Sequence, residues 1–366
     1  MRVLFAGGGT GGHLYPAIAI AQALPDDASV LFVGTCERME AQVVPDAGYP
    51  IEFVWAKPLV RKLSFAFFAA AFTTYIGIMQ SLTIVARFRP DIVIATGGYV
   101  CFPVVVAAWI LRLLRLGRFP IALVEPNAMP GITTRALMPL CDEIWGAFAP
   151  DYAKKFVRTG VPVRAFLLAL PNRNDAISRL GMSAYRKTLL VIGGSLGARN
   201  INDAVLGLIS ARAVPEGWQI MLVTGKSDFE RVNAKLTDPE SVRGVPYLAD
   251  IGDAYAVADL VVARAGASTL AELAMAALPA ILVPYPHAAD DHQTVNAQAY
   301  ASSGAAVVLP DEDCTPKGLA EVLERLLYEG EFVSMQTAAR RNAPADPLAA
   351  ILARIDALCQ RRTIAQ

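Results

Sequence analysis

The chain has 366 residues, of which 54% are hydrophobic and only 18% charged, and its 33 Lys plus Arg balance 33 Asp plus Glu. That length accommodates two ordinary domains, each with its own core, while the zero net charge argues against nucleic acid as a partner. The five cysteines (Cys36, Cys101, Cys141, Cys314, Cys359) are scattered without a C-x-x-C pair, so a reduced, cytoplasmic protein with neither disulfides nor a zinc site is expected.

The apolar run Val3 to Ala6 reads as a strand and leads directly into Gly7-Gly8-Gly9-Thr10-Gly11-Gly12-His13. Only about five apolar residues separate Arg2 from these glycines, too few for a signal peptide. Glycine lets backbone pass close to a ligand, and a following helix offers unpaired N–H groups to a phosphate. The spacing Gly7-x-Gly9-x-x-Gly12 matches the dinucleotide fingerprint, which is weak alone. A nicotinamide enzyme would also place an acid at the end of the second strand. Here that strand, near 29–33, ends in Gly34-Thr35, and Glu37 and Glu40 come only later, so the dehydrogenase reading loses its second support. His13 closes the glycine loop and is either a general base, a donor to a diphosphate, or the cap of a turn.

Ser64 to Ala86 carries no charge and is flanked by Arg61-Lys62 and Arg87-Phe88-Arg89. Three readings stay open: a spanning helix, a helical hairpin touching a membrane surface, and a plain buried helix. Its Ser, Thr and Gln residues and the aromatics Phe65, Phe67, Phe68, Phe72 and Tyr75 favour the interfacial one.

Further first-half strands are expected near 51–54, 91–95, 121–124 and 142–145. Thr96-Gly97-Gly98-Tyr99 follows the second of these and brings more backbone donors beside the first loop. Glu125-Pro126-Asn127-Ala128-Met129-Pro130-Gly131 follows the third; Pro130-Gly131 suits a type II turn that would hold Asn127 near a ligand, and a purely structural turn is an equal alternative. Residues 158–164 break the pattern and read as a linker.

The second half opens the same way. The strand 188–192 runs into Gly193-Gly194-Ser195-Leu196-Gly197-Ala198, about 185 residues after the first loop. Strands follow near 219–223, 244–247, 259–263, 280–283 and 306–308. Strand–helix alternation with long apolar strands predicts two doubly wound α/β domains with parallel sheets. In Arg264 to Glu272, Thr269-x-x-Glu272 is either a capping box or places a carboxylate on a ribose diol. The polar loop Pro284 to Gln293 carries the other two histidines, His287 and His292, around Asp290-Asp291. No His, Cys or carboxylate spacing suggests a tightly held metal. The last helix, from Pro347 to Arg361, can pack back across the domain boundary.

The segments GGGTGGHLYPAIAIA at 7–21, ATGGYVCFPVVVAA at 95–108, EPNAMPGITTR at 125–135, IGGSLGARNIN at 192–202, ADLVVARAGASTLAEL at 258–273 and VPYPHAADDHQTVNA at 283–297 resemble, in order, the MurG family of inverting GT-B glycosyltransferases. The resemblance covers almost the whole chain. It implies two Rossmann-like domains facing across a cleft: 1–160 for the acceptor and the membrane, with the C-terminal helix 345–366 packed back on it, and 165–344 for UDP-GlcNAc. The implied reaction transfers N-acetylglucosamine from UDP-GlcNAc to the muramyl 4-hydroxyl of undecaprenyl-linked lipid I, giving lipid II with inversion to a β-1,4 linkage.

Carried over position by position, the resemblance makes His13 the candidate base and sets Thr10, Gly11 and Gly12 at the sugar and diphosphate. Asn127 would touch the donor sugar, and Arg164 and Ser195 the diphosphate region. Leu248 would face uracil, Ala267, Ser268 and Thr269 the donor phosphates, Glu272 the ribose, and His292 and Gln293 the GlcNAc hydroxyls. Gly9, Gly97, Gly98 and Tyr99 would meet the acceptor. No metal cofactor is implied. An anionic membrane surface, contacted through 64–86, and other cell-wall synthesis proteins are the implied partners. Pro126 stands where the family usually has Gln, which removes one backbone donor beside Asn127, and the chain is neutral where members are often basic. The rival readings are a related transferase with another lipid acceptor, the nicotinamide-dependent oxidoreductase, and a non-enzymatic membrane scaffold.

Overall fold

The computed structural model describes residues 1–58, 65–148, 155–194, 197–236, 238, 241–248 and 251–364. The chain divides into two units: residues 1–164 with 345–366, and residues 165–344. In the first, the elements run β1 (Arg2–Ala6), α1 (Gly11–Ala23), β2 (Ser29–Gly34), α2 (Glu40–Asp46), β3 (Ile51–Phe53), α3 (Phe65–Phe88), β4 (Ile92–Ala95), α4 (Cys101–Leu113), β5 (Ile121–Val124), α5 (Ile132–Leu137), β6 (Glu143–Gly146) and β7 (Phe156–Arg158). In the second they run α6 (Arg173–Leu180), β8 (Lys187–Ile192), α7 (Arg199–Ser210), β9 (Trp218–Val223), α8 (Phe229–Asn233), β10 (Val242–Val245), α9 (Gly252–Val257), β11 (Leu260–Ala263), α10 (Ala267–Met275), β12 (Ala280–Leu282), α11 (His292–Ala301), β13 (Ala306–Val308), α12 (Pro316–Tyr328) and α13 (Glu331–Asn342). The chain then returns to the first unit as α14 (Pro347–Ile364).

Both sheets are parallel, ordered β3-β2-β1-β4-β5-β6-β7 and β10-β9-β8-β11-β12-β13. In each, the strand that precedes a glycine loop (β1 or β8) lies beside the strand at which the order reverses (β4 or β11). Ligands bind such doubly wound sheets outside the carboxyl ends of these two strands. The central strands are apolar throughout because helices cover both faces: Val3, Leu4, Phe5 and Ala6 are all fully buried. On one face of the first sheet, α1 packs with Leu348, Ile351, Ile355 and Leu358 of α14, and α3 and α4 cover the other. Fully burying an aliphatic side chain contributes about 1.5–3 kcal/mol, so these clusters carry most of the stability of each unit. Glu143 of β6 ties α14 down, accepting from Trp145 Nε1 at 2.9 Å and from both Nε and the terminal guanidinium nitrogen of Arg354.

Several expectations are corrected. Within the segment 64–86, the described residues from Phe65 on form one continuous helix, not a hairpin, because no proline or paired glycine interrupts it; Ser64 and Arg61-Lys62 lie outside the described residues. Nor is that helix simply buried. Phe68, Phe72 and Tyr75 are 63%, 64% and 58% exposed, and 28% of its most apolar window is buried. By length and composition alone, Phe67–Phe88 is long and apolar enough to cross a membrane. The stretch read as a linker begins in a seventh strand, and Val161 and Val163 are buried. The strand expected at 244–247 is β10, two residues earlier. Gly131 has φ −64° and ψ 166° and caps the N-terminus of α5, which excludes a type II turn with its positive φ at that position.

Candidate active site

In the first unit, the loops after β1 and β4 touch. A Cβ added to Gly97 would lie 2.3 Å from His13 Nδ1, so only glycine admits the imidazole there. His13 Nδ1 lies 3.1 Å from the Thr96 carbonyl oxygen. A carbonyl only accepts, so this contact assigns the hydrogen to Nδ1 and the lone pair to Nε2. Thr10 caps α1 in extended conformation but without a side-chain hydrogen bond. The N–H groups of Gly11 and Gly12, at the first two helical positions, therefore have no intrahelical acceptor and face outward as anion donors. The Tyr99 ring passes over Gly9, 3.6 Å from the position a Cβ would take there. Exposed Arg38 hydrogen-bonds the Tyr99 side chain, which raises the guanidinium pKa above its ordinary value.

Beside these, Glu125 is buried, and its Oε1 accepts from both the backbone N–H and the side-chain amide of Asn127, each at 2.9 Å. The amide orientation of Asn127 is set by a carboxylate two residues away. Cys101 sits under the same loops, its thiol donating toward the carbonyls of Ala6 and Gly97. Burial pushes that thiol up to about 12, which makes it a packing group and not a nucleophile.

In the second unit, Ser195 and Leu196 lie outside the described residues, while Gly193, Gly194 and Gly197 frame the turn from β8 to α7. Gly266 caps α10, so Ala267, Ser268 and Thr269 are its first three residues and present their N–H groups at the helix start. The Ser268 hydroxyl is buried and has no hydrogen-bond partner among the described residues. An orphaned hydroxyl beside open helix donors suits a phosphate oxygen.

This geometry removes the capping-box reading of Glu272. Thr269 is already inside the helix, and Glu272 accepts instead from Tyr255 Oη at 2.8 Å. Tyr255 is buried in α9 and thereby fixes the carboxylate at the sheet edge. His292 and Gln293 open α11 behind Asp290 and Asp291, both at φ 52°. Gln293 Oε1 accepts from Tyr285 N at 2.9 Å, which orients its amide nitrogen. Arg264 braces this loop, donating to the carbonyls of Val283 and Pro284 and to Asp311 while its guanidinium lies over the Tyr285 ring. Leu248 follows β10, at the carboxyl edge of its sheet, and Arg164 is the last residue before the second unit.

Sequence reasoning missed Tyr255, Glu40 and Arg264 as supports. Tyr255 and Glu272 belong to different helices 17 residues apart, so no local spacing announces the pair. Glu40 was considered only as a ribose acid; it is instead buried against the first glycine loop. Among the described residues, no group of three or more His, Cys, Asp or Glu side chains gathers as metal ligands.

The glycosyltransferase family 28 N-terminal domain matches residues 3–145, and the family 28 C-terminal domain matches residues 188–350. A UDP-N-acetylglucosamine--N-acetylmuramyl-(pentapeptide) pyrophosphoryl-undecaprenol N-acetylglucosamine transferase of Syntrophotalea carbinolica is 41% identical over 358 residues, covering 93% of this chain and 94% of that protein. The transferase of the same name from Desulforamulus reducens is 40% identical over 347 residues, covering 90% and 91%. The crystal structure of Acinetobacter baumannii MurG superimposes with a TM-score of 0.78 at 28% identity, covering 97% of this chain and 99% of that one.

Proposed function

This chain belongs to glycosyltransferase family 28, to its MurG branch, and we propose that it works through the two sheet edges described above, one taking the sugar donor and the other the acceptor. The enzyme transfers N-acetylglucosamine from UDP-GlcNAc to lipid I and forms lipid II, a step of peptidoglycan synthesis. The donor side is the second unit. The N-terminus of α10 and the Ser268 hydroxyl receive the diphosphate with Arg164 and Ser195, Glu272 grips the ribose diol, and Leu248 meets uracil. Asn127, His292 and Gln293 read the sugar.

One observation carries the catalytic reading: the Thr96 carbonyl holds His13 in the tautomer whose Nε2 can accept a proton. In this reading Nε2 takes the proton of the muramyl 4-hydroxyl as its oxygen attacks the anomeric carbon from the face opposite UDP, which gives a β-1,4 linkage. Helix N-termini stabilise the negative charge that develops on the departing diphosphate, and no bound metal takes part. Gly9, Gly97, Gly98 and Tyr99 receive the acceptor, while Thr10, Gly11 and Gly12 meet the donor sugar and diphosphate.

The exposed aromatic face of α3 supports a peripheral position on the cytoplasmic side of the membrane. Leu113, Leu114 and Leu116 at the end of α4 are also exposed, with exposed Arg115 and Arg118 interleaved to meet anionic headgroups, while Arg112 is paired with Asp142. Cell-wall synthesis proteins are the macromolecular partners this position suits. The test is UDP release by the purified protein given UDP-GlcNAc and a short-chain lipid I analogue, beside UDP-GalNAc and acceptor-free controls. Acceptor-dependent release selective for UDP-GlcNAc is the expected result; donor binding without acceptor-dependent release would overturn the acceptor assignment.

A further inference from the structure

We propose that Glu40, a carboxylate with no part in the chemistry above, is the positioning residue of the first glycine loop. The inference rests on the acceptor reading of that loop. Glu40 is 1% exposed, and among the described residues it forms no ion pair. Its two oxygens are divided between two tasks. Oε1 accepts from Thr35 N at 3.1 Å and Thr35 Oγ1 at 2.7 Å, which anchors α2 to the end of β2. Oε2 accepts from Gly9 N at 2.9 Å, which anchors the loop.

The cradle is built for this side chain. A Cβ on Gly8 would lie 2.5 Å from the carboxyl carbon, and one on Gly34 would lie 2.6 Å from Cγ. Burying a carboxylate is costly unless charge-assisted hydrogen bonds offset the loss of water. Three such bonds here link the segment that carries Thr10, Gly11, Gly12 and His13, through Gly9, to Thr35 at the end of β2. The Gly9 amide is therefore committed to Glu40, and the ligand-facing donors are those that open α1. Glu40 sets where those donors point and from which direction His13 meets the acceptor hydroxyl.

Glu40→Gln isolates the second task. A carboxamide keeps its oxygen on Thr35, which offers two donors, and turns its NH2 toward the Gly9 N–H, so donor faces donor. Thr35→Val is the companion variant: it removes one bond to Oε1 and leaves the Gly9 contact intact. Steady-state kinetics on the full-length enzyme, thermal unfolding, and amide exchange of residues 7–12 are compared for the three proteins. For Glu40→Gln we expect kcat/KM for the acceptor to fall roughly ten- to hundredfold, the factor of one charge-assisted hydrogen bond. The Kd for UDP alone, whose ribose and uracil contacts lie in the second unit, is expected to stay within about twofold, with faster exchange in residues 7–12. Thr35→Val is expected to lower the melting temperature while keeping wild-type kinetics. Wild-type kinetics in Glu40→Gln, or parallel losses in both variants that track the melting temperature, would overturn the proposal. A wild-type protein without acceptor-dependent UDP release would instead count against the acceptor reading itself.

Discussion

The imidazole Nδ1 of His13, on the first turn of α1, lies 3.1 Å from the carbonyl oxygen of Thr96, at the end of β4. Two segments 83 residues apart are thereby joined at the point where the strand order reverses. The contact dictates the tautomer, and the tautomer decides which nitrogen can serve as a base.

Replacing His13 with alanine should remove the base while sparing the donor contacts that the second unit supplies. The expected loss in kcat is about 10²- to 10⁴-fold, with the donor Kd nearly unchanged. Titration with UDP-GlcNAc beside single-turnover rates separates the two; an equal loss in both would make His13 a binding residue.

Gly97→Ala should mimic that loss from a neighbouring position. The residue sits at φ 104°, and the new methyl would fall 2.3 Å from Nδ1. Backbone strain of about 1–3 kcal/mol and a displaced imidazole are both expected. Thermal unfolding reports the first and kcat the second; a variant of wild-type kcat would mean that the His13 position is not catalytic.

Tyr255→Phe deletes only the hydroxyl that donates to Glu272 Oε2. Glu272 then loses its fixed position, and the donor KM should rise about tenfold, in keeping with one hydrogen bond to a charged group. The acceptor KM serves as the internal control. Glu272→Gln should raise the donor KM further, and an unchanged donor KM in both variants would remove the ribose assignment.

Glu143 connects stability to pH. Burial pushes its carboxyl pKa up, but the hydrogen bonds from Arg354 and Trp145 outweigh burial and hold it below the ordinary value. A carboxylate with a depressed folded pKa contributes stability that is present above its unfolded pKa, near 4.5, and lost as pH falls through the folded one. Urea unfolding from pH 7 to pH 3 should therefore show a fall that Glu143→Gln flattens. Glu143→Ala should cost about 3 kcal/mol at neutral pH, because it leaves Arg354 without its partner.

On the membrane side, Phe68→Ser combined with Phe72→Ser should abolish sedimentation with anionic vesicles while leaving turnover of a water-soluble acceptor analogue intact. Both rings are mostly exposed, so the fold should lose little. Retained vesicle binding would locate the membrane contact elsewhere on the chain.

Much of this was legible in the linear chain because its signals are local. A buried parallel strand must be a continuous apolar run, and a phosphate loop must spend glycines where the backbone turns into a helix. Both features stand within a few residues of each other at 3–13 and again at 188–198. The lone histidine of the first loop and the acid of the Ser268–Glu272 turn were visible for the same reason. One open alternative and one expected turn fell away for reasons equally local. Thr269 and Glu272 have the spacing of a capping box, yet the helix begins at Ala267, and capping depends on where the chain bends and not on spacing alone. Pro130-Gly131 has the composition of a type II turn, but Gly131 was taken up as a helix cap.

Sequence by itself determined the two parallel sheets, their glycine loops and the residue types offered at their edges, since each follows from hydrophobic period and backbone freedom over short spans. Only the tertiary structure decided which of those residues support one another. Thr96 orients His13, Tyr255 holds Glu272 and Glu40 clamps Gly9, across separations of 17 to 83 residues. Such pairs are specified by strand order and side-chain packing, which bring distant segments within hydrogen-bond reach and leave no periodic trace in the chain.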